Sequence, residues 1–251
     1  MPDPPADRAA RLRALTQARV ALGRAGQALP TAPMLDFQLA HARARDAVHA
    51  ELTTEGFASA IGRDIIEVRS QAPDRPTYLR RPDLGRLLDS DDLAKLQPAG
   101  ADIAIVVADG LSATAVHAHA ASLVTELWAR LPDWRIAPVV LARQARVALG
   151  DEIGAALGVD LVAVLIGERP GLSAPDSLGA YLTWQPRPGR LDSERNCVSN
   201  IRPPHGLGYA AAADRIAWLL RAARELRLTG IGLKEGAMLP GLNSSLFDSP
   251  P

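Results

Sequence analysis

From residue 101 onward, the sequence alternates between short apolar runs typical of buried strands and longer segments with helical periodicity. Strands are predicted in ADIAIVVADG, WRIAPVVLAR and DLVAVLIG, and the segments between them predict helices. Two further strands, in SLGAYLTWQP and RNCVSNI, precede a long helix in GYAAAADRIAWLLRAARELRL. This alternation over short connections favours an α/β fold, with a mostly parallel sheet flanked by helices.

The chain before this point has a different character. Residues 31–52 predict a helix with apolar side chains on more than one face, and residues 71–100 are rich in proline and predict short helices with extended links. The first thirty residues predict an amphipathic helix that packs on a partner or on the protein itself. We therefore predict a helical N-terminal region, residues 1–98, and an α/β domain, residues 99–251.

Charge and cysteine content exclude several classes of protein. Lysine and arginine number 28 and aspartate and glutamate 28, so the net charge is zero and nothing indicates a nucleic-acid or anionic membrane partner. The single cysteine, Cys197, allows neither an internal disulfide nor a CxxC metal site. No apolar run approaches the roughly 18 residues that a membrane helix needs.

The common catalytic motifs are incomplete. Ser112 lacks the following glycine of a nucleophile elbow, so we expect it to cap a helix after a turn at Gly110. His117 and His119 are two residues apart and do not share a helix face, which disfavours joint metal binding. Residues 206–211 match G-x-G-x-x-A, but RPPH separates them from the preceding strand. One possible function is therefore that of an independent Rossmann-type nucleotide-binding oxidoreductase. Another is that of an interaction protein whose crevice is empty.

Ligands of open α/β sheets bind beyond the carboxyl ends of the strands. Three segments are expected at that edge: residues 108–113, 167–172 and 196–206. Glu168 and Arg169 directly follow a predicted strand and, as neighbours on an extended chain, should point in opposite directions. A carboxylate that faces a cleft accepts N–H donors. We therefore predict that Glu168 faces the ligand and that Arg169 points away.

Five longer stretches carry a resemblance to a known family: FQLAHARARDAVH, IVVADGLSA, IGERPGL, ERNCVSNIRPPHGLGYAAA and GIGLKEG. In this order they resemble the small (light) subunit of ethanolamine ammonia-lyase, an adenosylcobalamin-dependent enzyme. The resemblance implies a Rossmann-like domain that covers the lower part of the cobalamin. It also implies a hetero-oligomer in which the large subunit, a (β/α)₈ barrel, converts ethanolamine to acetaldehyde and ammonia, while residues 1–98 dock on that subunit.

Site residues can be carried over from this family one by one. Glu168 in GERPGL matches a cobalamin-binding glutamate, Cys197 in RNCVSN a cobalamin-binding cysteine, and Val147 in RVALGDEIG an apolar or backbone contact. The resemblance implies no catalytic residue and no metal ligand in this chain. None of the five histidines has aspartate two residues before it, so D-x-H-x-x-G is absent, which agrees with the base-on cofactor binding that the resemblance implies. The implied location is the cytoplasm, with a bacterial microcompartment as the alternative.

Overall fold

The computed structural model describes residues 5–98 and 100–234 of the 251-residue chain. Residues 1–4, 99 and 235–251, at the ends of the two predicted regions, lie outside this description. Six strands form one sheet in the order β1-β3-β2-β4-β5-β6. Their bounds are β1 (Ile65–Arg69), β2 (Ile103–Ala108), β3 (Val139–Arg143), β4 (Leu161–Gly167), β5 (Leu178–Trp184) and β6 (Asn196–Ile201).

Helices precede, separate and follow the strands. Their bounds are α1 (Pro5–Ala14), α2 (Thr31–His49), α3 (Phe57–Ile61), α4 (Arg75–Arg80), α5 (Ser90–Leu93), α6 (Ala113–Ala129), α7 (Leu149–Leu157) and α8 (Tyr209–Leu226). Short 3₁₀ turns cover Leu84–Arg86, Asp192–Glu194 and Gly230–Gly232. The five strands and three helices predicted after residue 101 are confirmed. Among the described residues, no helix combines the length and the apolar character needed to cross a membrane.

The expectation of a mostly parallel sheet holds only in part. Strands β1, β3, β2 and β4 pair in parallel. Strand β5 is antiparallel to both of its neighbours, β4 and β6. Residues 168–177 and 185–195 join these strands without an α-helix. A parallel crossover needs about a dozen residues or more, usually including a helix, so these short links return the chain in the opposite direction. The sheet is therefore mixed, and its Rossmann-like character stays a prediction.

Two apolar layers enclose the sheet, because successive side chains of a strand point to opposite faces. In the central strand β2, Ile103, Ile105 and Val107 pack in the layer under α6 and α8. Ala104 and Val106 pack in the layer that includes α7. All of β2 is buried, which explains why its sequence is continuously apolar rather than alternating.

The N-terminal region differs from the prediction in two elements. The amphipathic helix expected in the first thirty residues is formed only over Pro5–Ala14, as α1. Residues 65–69, in the part expected to contain helices and links, form strand β1 and pair with β3. Their sequence, IIEVR, is short and partly polar because β1 is an edge strand with one unpaired side. Helix α2 is mostly exposed and buries only Ala44 and Ala47. The proposed division into residues 1–98 and 99–251 stays a prediction.

Candidate functional site

Two glycine turns meet where β2 and β4 end. The backbone N–H of Leu111 donates to the carbonyl of Gly167 over 2.9 Å. Gly110 has a φ of +54°, and a Cβ at Gly167 would lie 2.0 Å from the Ser112 carbonyl oxygen. Neither position has room for a larger residue. As expected, Ser112 caps α6 by accepting a hydrogen bond from the Ala115 N–H. The contact brings the segments after β2 and β4 to one point at the edge of the sheet.

A cleft of about 420 Å³ opens beside this contact. Tyr78, Arg146, Val147, Glu168 and Tyr181 are among the residues that line it. A second opening of about 410 Å³ shares Arg146, Val147 and Tyr181 with the first. The two openings are therefore neighbours that share one wall, and together we call them the strand-end groove. Its position beyond the carboxyl ends of β2, β3 and β4 is the one expected for a ligand site in such a sheet.

Glu168 lines the groove, and three donors hold its carboxylate. The Ser177 hydroxyl lies 2.5 Å from Oε2, and the Ser199 hydroxyl lies 2.5 Å from Oε1. The backbone N–H of Asn200 also donates to Oε2 over 3.3 Å. The side chain lies across Gly179, where a Cβ would come within 2.8 Å of Oε1. Because a carboxylate has about four acceptor positions, about one is left for an external N–H donor.

Val147 and Cys197 differ in how directly they meet the groove. Val147 lines both openings and packs its apolar side chain against the core layer below. Cys197 lies opposite Tyr181, which borders both openings, so it adjoins the groove through its neighbour. Although Cys197 is exposed as a residue, desolvation of its sulfur raises the pKa of the thiol, and the Tyr181 hydroxyl lowers it by less. The thiol is therefore protonated and neutral near pH 7.

Arg169 does not separate from Glu168 as the alternation of side chains predicted. It is exposed and also borders the first opening. The chain no longer follows a regular strand after Gly167, so neighbouring residues do not have to point in opposite directions.

Two buried ion pairs stabilise the elements around the groove. The Asp109 carboxylate lies 3.2 Å from Nη1 of Arg75 and accepts N–H donors from Gln144 and Ala145, each over 2.9 Å. This network joins the turn after β2 to the turn after β3 and to α4. The second pair joins α7 to the residue that directly precedes β6. Both of its members are almost fully buried: Arg195 donates two hydrogen bonds to Asp151, of 2.7 and 2.6 Å.

The two histidines of α6 have separate partners, as the helix geometry predicted. Nε2 of His117 lies 3.0 Å from the Thr53 backbone nitrogen, whereas Nδ1 of His119 lies 2.9 Å from the Tyr209 hydroxyl. In the described part of the chain, no three His, Cys, Asp or Glu side chains are grouped so as to hold a metal ion.

The dinucleotide-like turn lacks the structural context of a dinucleotide site. Residues 206–208 lie between β6 and α8, residues 209–211 form the first turn of α8, and β6 is antiparallel to its neighbour β5. No strand follows α8 within the described residues, so a parallel β-α-β unit is not formed there.

Several groove residues were not anticipated from the sequence. Tyr78 comes from α4 in the proline-rich segment, where no periodic pattern marks it. Arg146 follows β3 and precedes Val147, so the rule that ligands bind beyond strand ends could have indicated it. Tyr181 projects from β5, and its proximity to Cys197 depends on a strand register that a single sequence does not reveal.

Comparison with known proteins decides the family. The family model "Ethanolamine ammonia-lyase light chain (EutC)" matches residues 6–234. The ethanolamine ammonia-lyase small subunit of Rhodopseudomonas palustris (strain BisA53) is 55% identical over 248 residues, which is 96% of this chain and 95% of that protein. The chain belongs to the ethanolamine ammonia-lyase light-chain family.

Other small subunits of ethanolamine ammonia-lyase show similar agreement. That of Bradyrhizobium diazoefficiens is 56% identical over 89% of both chains, and that of Ralstonia nicotianae is 51% identical over 93% of this chain and 90% of its own. The resemblance carried by the five sequence stretches is thereby confirmed. As a member of the ethanolamine ammonia-lyase light-chain family, the chain belongs to a family of lyase subunits, and its strand-end groove is the feature to explain.

Proposed function

We propose that this chain is the small subunit of an adenosylcobalamin-dependent ethanolamine ammonia-lyase and that its strand-end groove binds the cobalamin at the interface with the large subunit. The complex would convert ethanolamine to acetaldehyde and ammonia. The observation that carries this proposal is that Val147 and Glu168 line one groove and Cys197 adjoins it. Three residues that the resemblance implies as cobalamin contacts thus lie along one groove, two of them beyond strand ends and Cys197 beside Tyr181 in the sheet. The Rossmann-like cobalamin-binding domain would be residues 99–251.

The chemistry of the groove fits a corrinoid. Its side chains present an acceptor in Glu168, an apolar contact in Val147 and a neutral thiol in Cys197. The amide groups at the edge of a corrin need acceptors and apolar contact rather than strong charge. In addition, Nε of Arg146 is buried without a hydrogen-bond partner, which indicates a polar group still to be bound. When bound, adenosylcobalamin supplies radical chemistry through homolysis of its cobalt–carbon bond.

Each residue would act by binding and positioning. The Ser177 and Ser199 hydroxyls fix the Glu168 carboxylate, so that its remaining acceptor position meets an amide N–H of the corrin. A protonated thiol is a poor metal ligand, so Cys197 would allow close approach without binding cobalt. The described lining of both openings contains no histidine. This supports base-on binding, in which the nucleotide tail of the cofactor keeps its own cobalt ligand.

The N-terminal region supplies a surface for the large subunit. Several of its large apolar side chains are exposed: Leu15 by 83%, Leu35 by 57% and Leu39 by 50%. A surface of this kind is typical of an interaction site. We therefore propose that residues 1–98 dock on the large subunit in a hetero-oligomer, in the cytoplasm or within a bacterial microcompartment.

The test is a binding titration of the assembled complex with adenosylcobalamin, followed by corrinoid absorbance. Glu168→Gln keeps the shape but replaces a charge-assisted hydrogen bond by a neutral one, so the Kd should rise about tenfold. Glu225→Gln, at an exposed position on α8, is the matched control and should leave the Kd unchanged.

Three results would contradict the proposal: an unchanged Kd for Glu168→Gln with a normal circular dichroism spectrum, deamination of ethanolamine by this chain alone, or recovery of nicotinamide or flavin absorbance in place of the corrinoid. The last result would favour the dinucleotide alternative.

A further inference from the structure

Arg146 lies at the junction of the two openings of the groove. It follows β3 at the turn into α7 and lines both openings. Its backbone N–H donates to the Gly85 carbonyl over 2.8 Å. Its guanidinium lies 4.5 Å from the centroid of the Tyr78 ring, and a Cβ at Gly85 would come within 3.1 Å of its Cγ. The side chain is therefore held in place by packing on Tyr78 and by its backbone.

The charge of Arg146 has no partner within the described residues. No carboxylate lies within ion-pair distance of its guanidinium, and its Nε is buried without a hydrogen-bond acceptor. Arg75, which also lies over the Tyr78 ring at 4.9 Å, is paired with Asp109. A buried donor without an acceptor is unfavourable, so an acceptor brought by a ligand would stabilise this arrangement.

The acidic residues of the groove are already engaged elsewhere. Glu168 accepts from two serine hydroxyls and a backbone N–H, as described above. Asp192, in the second opening, lies 3.5 Å from Nε of Arg195. Arg86 and Arg169 add positive charge to the two openings. The groove therefore carries a net positive charge centred near Arg146, and this favours an anionic group on the ligand.

We propose that Arg146 binds the phosphodiester that joins the nucleotide tail of base-on adenosylcobalamin to its corrin. This inference rests on the proposed function. The corrin side chains are neutral amides, so the phosphodiester is the anionic group of this ligand. A guanidinium binds phosphate oxygens through paired N–H donors. Three residues are common to both openings, namely Arg146, Val147 and Tyr181, and Arg146 is the charged one, so it is placed to contact a ligand that occupies both.

The experiment compares two corrinoids on the complex with the large subunit. Adenosylcobinamide lacks the nucleotide tail and its phosphodiester, whereas adenosylcobalamin contains both. The Kd of each is measured by equilibrium dialysis for the unchanged chain, Arg146→Met, Arg146→Lys and the control Arg80→Met. Arg80 is exposed on α4, outside the residues that line the groove.

We expect Arg146→Met to raise the Kd of adenosylcobalamin about ten- to hundredfold and to leave the Kd of adenosylcobinamide within about twofold. Arg146→Lys keeps the charge but not the paired donors, so its Kd for adenosylcobalamin should lie between those of Arg146→Met and the unchanged chain. Arg80→Met should change neither Kd. The Lys variant also decides the matter if Arg146→Met does not fold.

Two results would overturn the assignment. Equal weakening of both corrinoids would mean that Arg146 shapes the groove without contacting the tail, and unchanged binding of both would mean that it makes no contact. Failure of the unchanged complex to bind adenosylcobalamin at all is a separate result, because it overturns the proposed function and this inference with it.

Discussion

Replacement of Gly167 by alanine tests how the site is built. A Cβ at this position would lie 2.0 Å from the carbonyl oxygen of Ser112 and 2.6 Å from that of Asp109. Both atoms belong to the backbone and cannot rotate away, so the turn after β2 has to move. Overpacking of this kind costs about 1–3 kcal/mol, and loss of the Leu111–Gly167 hydrogen bond adds about 1 kcal/mol.

Alanine also reduces the entropy of the unfolded chain, which offsets about 0.4–1 kcal/mol of this loss. The net destabilisation should be about 2–3 kcal/mol, which corresponds to a decrease in Tm of about 4–12 °C for a chain of this size. The assay is thermal unfolding of the full chain by circular dichroism. Gly171→Ala is the matched control, because the nearest atoms to its Cβ would be 3.8 Å away, in ordinary contact. Equal Tm values for the two variants would refute the proposed packing role.

Two further predictions concern buried charges. Asp151→Asn should destabilise the chain by about 3–5 kcal/mol, because it leaves Arg195 buried without its countercharge. Asp192→Asn removes an exposed partner of the same arginine and should cost less than about 1 kcal/mol. Urea unfolding measures both free energies, and similar losses for the two variants would contradict the prediction. Burial lowers the pKa of His119 below its usual 6.5. Below pH 6.5 the unfolded chain therefore binds more protons at this histidine than the folded chain does. The stability that neutral His119 contributes is complete above pH 6.5 and decreases as the pH falls. An NMR titration should give a midpoint below 6.5, lowered further by Asp176→Asn because the Asp176 carboxylate raises this pKa; a midpoint at or above 6.5 would be inconsistent.

The sequence was sufficient to predict elements but not their directions. Apolar runs such as DLVAVLIG identify strands because a strand buried on both faces must be continuously apolar. Strand β1 was missed because an edge strand of five residues has no such run. The antiparallel direction of β5 had a signal in the sequence, namely the link of residues 168–177, which is too short for a helical crossover.

For the candidate site too, the sequence predicted which residues lie at the sheet edge but not which partners they contact. Gly110, Gly167 and Glu168 were predicted at the sheet edge because ligands bind beyond strand ends, and the structure places them there. The partners that hold Glu168 could not be predicted, since Ser177 and Ser199 meet it only through the register of β4, β5 and β6. A side chain near a strand end can be found from one sequence, but its hydrogen-bond partners depend on long-range pairing.

The mixed character of the sheet therefore has a direct effect on the groove. A parallel strand beside β4 would enter at the far edge of the sheet and place its last residues, not its first, beside the end of β4. Because β5 is antiparallel, its first residues lie beside the end of β4, and Ser177 reaches the Glu168 carboxylate. Strand β6 reverses again and ends at the same edge, which brings Ser199 to the other carboxylate oxygen. The serines beside β5 and in β6 thus hold the carboxylate of Glu168, which follows the parallel strand β4. A change that shifts the β5–β6 register should therefore alter corrinoid binding even when Glu168 is intact.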